Sequence, residues 1–348
     1  MAIRPGSGVA VPAPLPWVAL ARDLPRPLRR QSTASEGWRR IRRGAYAELA
    51  PADRWDSLRD RQLALIAAVH RQLTGHHVVS HESAALLWGL PMTPGSSRTH
   101  VIRRRPPSAT ASADLVQHVM VLGDHDVVER DGILVTSLER TVVDCAMSAD
   151  PRSGLILADA GLRRGLDRGA ALDRLTDVAA RRGKARALAV LTHADPGAES
   201  AGESAARHLV LAAGLPAPET QVRVETPDGT FWSDLGWPDW RVLAEYDGAG
   251  KYTATSGAAD AVLRERRREV LLEREGWRVF RATAADLAAP DAMVRALLRL
   301  APAGAADRLT PLPELRPTPA GRRPSASLRA SGREAVRRTA RSDAGGTK

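Results

Sequence analysis

The sequence predicts a mixed α/β protein of the α+β kind. A small α+β region with a basic hairpin comes first, and a C-terminal region follows whose elements run αβββαβα. Three observations predict this. Apolar residues recur at helical spacing over 55–72 and again over 137–194. Runs such as THVIR and RVLAEYD, bounded by turn residues, have the composition of strands. Eight of the thirteen aromatic residues fall between Phe231 and Phe280, which marks the densest core. At 348 residues, 43% hydrophobic and 26% charged, the chain is long enough for two cores.

In order along the chain, residues 1–31 are proline-rich without a sustained period and read as irregular. GWRRIRRGAYAEL, Gly37 to Leu49, reads as a two-stranded hairpin turning at Gly44, with Trp38, Ile41 and Tyr46 inward and Arg39, Arg40, Arg42 and Arg43 outward. That pattern suits a basic β-wing that contacts nucleic acid, and equally an ordinary charged hairpin. Leu58, Leu63, Ile66, Ala67 and Val69 line one face of the next helix. HVVSHESAALLWGLP then reads as a strand and a helix capped by Ser80 and ended at Gly89 and Pro91. THVIRRR, LVQHVMVL and GILVT are strands of a small sheet, and Ser137 caps the first of several helices reaching about Ala194.

Residues 195–202 have linker composition and divide a 32–194 region from a 203–301 domain. That domain begins with a helix from Glu203 to Ala213, stopped by Gly214 and Pro216. Strands on either side of a PDG turn, the strand Arg241 to Asp247, a helix to Glu275, the strand WRVFRAT and a final helix complete it. Residues 302–348 hold ten Arg or Lys against four Asp or Glu and read as a basic, disordered tail.

The formal charge of +11 and pI near 10.9 favour a polyanionic partner, DNA first, because Lys and Arg gain affinity by releasing counterions from phosphates. A protein partner is the other candidate. Cys145 is the only cysteine, which excludes an internal disulfide and a cysteine zinc cluster; in RTVVDCAM it reads as a small apolar core residue. Pro12, Pro14 and Pro16 interrupt the only signal-like run, and no segment is apolar over the roughly 18 residues a membrane span needs. The expectation is a cytoplasmic chain with no membrane association.

The chemistry concentrates in SDLGWPDWRVLAEYDGAGKYT. Residues two apart on a strand share a face, so Glu245 and Asp247 point the same way, and a hairpin through Trp237 to Trp240 folds Asp234 back toward them. Three carboxylates so gathered suit Mg²⁺ or Mn²⁺, which take oxygen ligands, and they equally suit strand ends facing water. Glu203 follows Ser200 at capping-box spacing, so it reads as a capping residue as well as a metal contact, with Glu199 a weaker rival. HHVVSHE sets His77 and His81 four apart beside Glu82. The order is not His-Glu-x-x-His and no third ligand is evident, so no metal is assigned there. Ser83 and Ser137 read as helix-start residues rather than nucleophiles.

Glu203 in GESAARHLVLAAGLP, Asp234 in SDLGWPDWRV, Glu245, Asp247 and Gly248 in AEYDG, RERRRE from Arg264, and GWRVFR from Gly276 together resemble the PD-(D/E)XK nuclease superfamily over about a hundred residues. The likeness is to the branch similar to very-short-patch-repair (Vsr) endonucleases. It implies a restriction-endonuclease-like core and phosphodiester hydrolysis. Asp234, Glu245 and Asp247 would be the metal ligands, and Glu203 and Lys251 further catalytic residues. Asp247 stands where the superfamily's signature lysine would be, which leaves that role to Lys251 or Arg266. WRRIRRGAYAEL, VVSHESAALLWGLP and VTSLERTVVDCA resemble the AbiEi antitoxin-like family, which implies DNA binding through Arg39, Arg40, Arg42 and Arg43. The expected function is therefore a DNA-binding protein with a Mg²⁺- or Mn²⁺-dependent endonuclease-like domain. The alternatives are a non-catalytic, antitoxin-type transcriptional regulator and a pure protein-interaction module.

Overall fold

Two of the chain's apolar cores meet on one helix, Ala201–Ala213, and the rest of the architecture follows from how that helix is shared. The computed structural model describes residues 15–24, 38–48, 54–91, 97–105, 112–248 and 258–317. The described residues through Leu315 belong to one compact unit. The mixed α and β content agrees with the α+β expectation.

The front sheet joins β1 (Val18–Leu20), β2 (Trp38–Arg42) and β3 (Ala45–Glu48) in the order β1-β3-β2, antiparallel throughout. The expected two-stranded hairpin therefore gains a third strand from the segment read as irregular. Three residues are too few to carry a period, and their partner lies 25 or more positions away, with Val18 facing Ala47. Val18 and Leu20 are buried with Ala45 and Ala47 against Ala64, Ala67 and Ala68 of α1 (Arg54–Gln72); the small alanines let helix and sheet approach closely.

The second sheet runs β6-β5-β4-β8-β7, from β4 (Val78–Val79), β5 (Thr99–Arg103), β6 (Leu115–Val119), β7 (Val127–Arg130) and β8 (Ile133–Thr136). Helix α2 (His81–Leu87) leaves β4 and packs back on this sheet, and its Ala84, Leu86 and Leu87 join a core with Leu63, Ile66, Val101 and Val135. Ser80 has the extended backbone of an N-cap, but its side chain makes no capping bond. Ser137 caps α3 (Leu138–Ser148) by accepting from Arg140 N, as its position before the apolar run predicts. Cys145 is fully buried in the core of α3, as expected of a small apolar side chain, and burial pushes its thiol well above the usual range.

Helices α4 (Pro151–Arg163), α5 (Arg168–Asp177) and α6 (Lys184–His193) follow. Asp150 and Asp167 cap the first two. The stretch read as a linker is tied down instead: Ala198 is fully buried, Asp195 N donates to Asp159 Oδ1 at 2.8 Å, and Thr220 Oγ1 donates to Asp195 Oδ1 at 2.8 Å.

Helix α7 (Ala201–Ala213) is buried on two sides. Leu211 and Ala212 pack among α3 to α6, whereas Ala206, Leu209 and Val210 pack on the third sheet. Burial of each of these Leu and Val side chains contributes about 1.5–3 kcal/mol. Gly214 ends the helix at φ +87°, where an added Cβ would lie 2.2 Å from the carbonyl carbon of Thr310. The third sheet, β12-β11-β10-β9, contains β9 (Glu219–Thr226), β10 (Gly229–Trp237), β11 (Val242–Tyr246) and β12 (Arg278–Ala282). The first three strands form an antiparallel meander, and α8 (Ala258–Arg274) crosses over to bring β12 parallel to β11. One face packs on α7 and on α10 (Pro290–Leu298), which follows the short α9 (Ala284–Ala288); the other carries Leu272 of α8 and Trp277. Residues 302–315, expected as the start of the tail, carry two 3-10 turns, and Leu315 is fully buried against α4, α6 and α7. The apolar residues Leu309, Leu312 and Leu315, spaced three apart, give this segment a face to bury, which the count of basic residues conceals.

Candidate functional site

The antiparallel ladder between β10 and β11 ends at Leu235 opposite Ala244, and Asp234 and Glu245 are the next residues outward, where the strands part. Asp234 Oδ2 accepts a hydrogen bond from Tyr246 N at 2.7 Å, so its carboxylate stands in for a main-chain acceptor at the strand's end. Alternation along β11 sends Val242, Ala244 and Tyr246 toward α7, and Leu243 and Glu245 toward α8. The parallel ladder continues one step further, because Asp247 N donates to Ala282 O at 2.8 Å.

Glu245 is 8% exposed and closed in by two guanidinium groups. Arg268 of α8 donates to its Oε1, and Arg281, its direct neighbour across the β11–β12 ladder, sits with Nη1 3.7 Å from Oε2. Arg268 also donates to Trp232 O at 2.9 Å and lies over the Phe231 ring, so it joins β10, β11 and α8. Arg266, the substitute cation expected from the sequence, is exposed and pairs with Glu269 at 3.2 Å. Lys251 lies outside the described residues.

Ser200 caps α7, and Glu203 makes only part of a capping box, since its side chain reaches the residue before the cap. Glu203 N donates to Ser200 Oγ at 3.1 Å, and its Oε2 accepts from Glu199 N at 2.7 Å. Burial raises its carboxyl above the usual range, and the charge of Asp234 raises it further. The two acids therefore sense each other across the gap between α7 and β10. The approach of α7 to the end of β11 is close enough that a Cβ on Gly202 would lie 1.9 Å from Tyr246 Cε1. Glu203 and Asp234 offer oxygen donors of the kind Mg²⁺ and Mn²⁺ take, but among the described residues no three carboxylates gather within 4.8 Å of one another here, and Glu245 is turned to arginine instead.

Arg268 and Arg281 are the site residues the motif reading missed. Their signals were local: Arg268, Leu271 and Leu272 share a face of α8 at three- and four-residue spacing, and Arg281 falls opposite Glu245 once GWRVFR is paired in parallel with VLAEY.

In the front sheet, Arg39, Arg40 and Arg43 are exposed. Arg42 is not part of that row: it grips Asp114 through Nε and Nη2, each at 3.1 Å. The Arg43 carbonyl accepts from Gln72 Nε2 at 3.0 Å, which fixes the turn to α1. Among the described residues, no helix is long and apolar enough to cross a membrane.

Fold and site thus define an α+β protein with a carboxylate and arginine cluster where the strands of its third sheet part. The chain belongs to the family of two uncharacterized Mycobacterium tuberculosis proteins, Rv2248 of strain H37Rv and MT2308 of strain CDC 1551 / Oshkosh. Each is 31% identical over 223 residues, covering 62% of this chain and 78% of its own length. No family model and no solved structure matches.

Proposed function

We propose that the chain is a DNA-binding protein whose C-terminal part hydrolyses phosphodiester bonds with Mg²⁺ or Mn²⁺, in the manner of PD-(D/E)XK nucleases. The reading is carried by one observation: Asp234 and Glu245 stand just beyond the last β10–β11 pair, where the strands part, with Glu203 in the field of Asp234. The order helix, antiparallel meander, crossover helix and parallel strand supports it as the αβββαβ core such a site requires. The exposed Arg39, Arg40 and Arg43 support a nucleic-acid surface at the front.

Asp234 and Glu203 would hold the cation, which when bound polarises the phosphate and lowers the pKa of an attacking water. Arg268 and Arg281, kept oriented by Glu245, would meet the charge that grows on the phosphoryl oxygens. As water attacks phosphorus it gives its proton to solvent, and as the bond to the leaving oxygen breaks that oxygen takes a proton from solvent.

The test is cleavage of supercoiled plasmid, linear duplex and single-stranded DNA by the full chain with Mg²⁺ or Mn²⁺, beside Asp234→Asn and Glu203→Gln. Cleavage by the wild type that both substitutions abolish is the expected result. An inactive wild type on all three substrates overturns the enzyme reading. A second reading, a non-catalytic regulator of antitoxin type, is favoured by the commitment of Glu245 to two arginines. It requires DNA affinity that falls steeply with salt and is indifferent to Asp234→Asn.

A further inference from the structure

Three histidines, separated in the sequence and unconnected with the carboxylate site, converge at the rim of the second sheet. His81 opens α2, His100 lies on β5 and His118 on β6. Strands β5 and β6 pair in parallel with His100 opposite Val116, so His118, two residues on, shares the face of His100. His100 Nδ1 is 3.1 Å from His118 Nε2, and the His81 and His118 rings stack with centroids 3.9 Å apart. One ligand nitrogen from each of the three lies within 4.8 Å of the others. His77, which the sequence paired with His81, is engaged elsewhere, with its Nε2 3.1 Å from His70 Nδ1.

We infer that His81, His100 and His118 form a binding site for a divalent transition metal of the Zn²⁺ kind, with Glu82 beside it. Glu82 supplies an independent pointer. Its Oε2 is buried, accepts no hydrogen bond among the described residues, and lies 3.5 Å from His100 Nδ1. A buried carboxylate oxygen left in this state is costly unless a cation completes it. His81 Nδ1 lies 3.0 Å from Ser80 Oγ, which orients the ring and leaves Nε2 for the ion, the usual arrangement of a ligating histidine. His81 also holds φ at +51°, a strained conformation for a residue with a Cβ, and such strain gathers at binding sites.

Three imidazoles leave one position of a four-coordinate ion open, and tetrahedral ligands about 2.0–2.1 Å from Zn²⁺ stand roughly 3.4 Å from one another. The 3.1 Å separation of His100 Nδ1 from His118 Nε2 is close to that spacing. Burial keeps all three imidazoles below their ordinary pKa, so they hold the neutral form that ligates metal. Arg98 and Arg140 are the cations that act on the cluster, and Arg140 is itself neutralised by Asp144 and Asp126. An ion held by these three histidines would pin α2 to β5 and β6.

The test uses the full chain, free of any affinity tag, stripped with chelator and titrated with Co²⁺ as a spectroscopic stand-in and then with Zn²⁺. One equivalent of Co²⁺ giving the intense visible absorption of tetrahedral coordination, displaced by Zn²⁺ and accompanied by a rise in Tm, is expected. The double variant His100→Gln/His118→Gln and the single Glu82→Gln, each checked for native circular dichroism, lose or weaken that spectrum. An absent Co²⁺ spectrum and an unchanged Tm in the wild type overturn the inference, as does binding that survives in a folded double variant. Asp234→Asn leaves the spectrum unchanged, which keeps this result separate from the nuclease reading.

Discussion

Arg207 of α7 donates through Nη2 to Asp159 of α4 at 2.6 Å, and both side chains are buried, at 4% and 0% exposed. The same guanidinium donates through Nη1 to His193 O at 2.6 Å, so it links three helices at the junction of two cores. Replacing Arg207 with Met strands the carboxylate, and a broken buried pair costs about 3–5 kcal/mol. The urea midpoint falls accordingly, and Arg207→Met/Asp159→Asn recovers most of the loss. A single variant as stable as the wild type would mean that the pair contributes nothing.

Asp144 gives a pH dependence of definite sign. Burial raises its carboxyl from 3.8 to about 6, only partly opposed by Arg140. Between those values the folded chain binds more protons than the unfolded one, so stability falls as pH rises. The contribution is fully present below 3.8 and gone above about 6. Denaturant unfolding from pH 4 upward shows this slope in the wild type, and Asp144→Asn removes it; parallel curves for the two proteins would contradict the assignment.

The coupling of Glu203 to Asp234 is measurable without any catalytic assay. Asp234→Asn removes the charge that is the second cause of the raised Glu203 pKa. Carbon-13 NMR titration of the Glu203 carboxyl then gives a lower value in the variant, although still above the ordinary range because burial remains. An unchanged titration would place the two groups out of each other's field.

Gly214→Ala meets two obstacles. The position has φ +87°, and the new Cβ would sit 2.2–2.5 Å from main-chain atoms of Thr310 and Pro311. Backbone neighbours do not yield as a flexible side chain does, so the loss exceeds the roughly 1 kcal/mol of an αL alanine alone. It is read as a lowered Tm. Gly276→Ala, also at positive φ but with nothing within 4 Å, serves as the control for backbone strain.

Much of the third sheet was legible because its signals are local. DG marks the β9–β10 turn, the apolar run VLA marks β11, and Gly276 ends the crossover helix. The carboxylates were legible as residues, and the β10–β11 ladder leaves Asp234 and Glu245 just beyond its last pair, Leu235 and Ala244. What closes around them was not, since Arg268 and Arg281 become neighbours of Glu245 only when α8 and β12 dock. Strand β1 was hidden for a similar reason: three residues carry no period, and their partner is remote. The histidine cluster was the least legible, because its members sit on a helix start and two strands whose parallel pairing no local pattern announces.

Leu315 is fully buried among helices drawn from residues 138–213, and its carbonyl accepts from His208 Nε2 at 2.8 Å, 107 positions earlier. Synthesis therefore sets a clock on this molecule. While the ribosome is still making residues 214–314, the cleft that Leu315 fills stays open and His208 lacks its acceptor, so the helical core waits for nearly the last described residue of the chain before it can close.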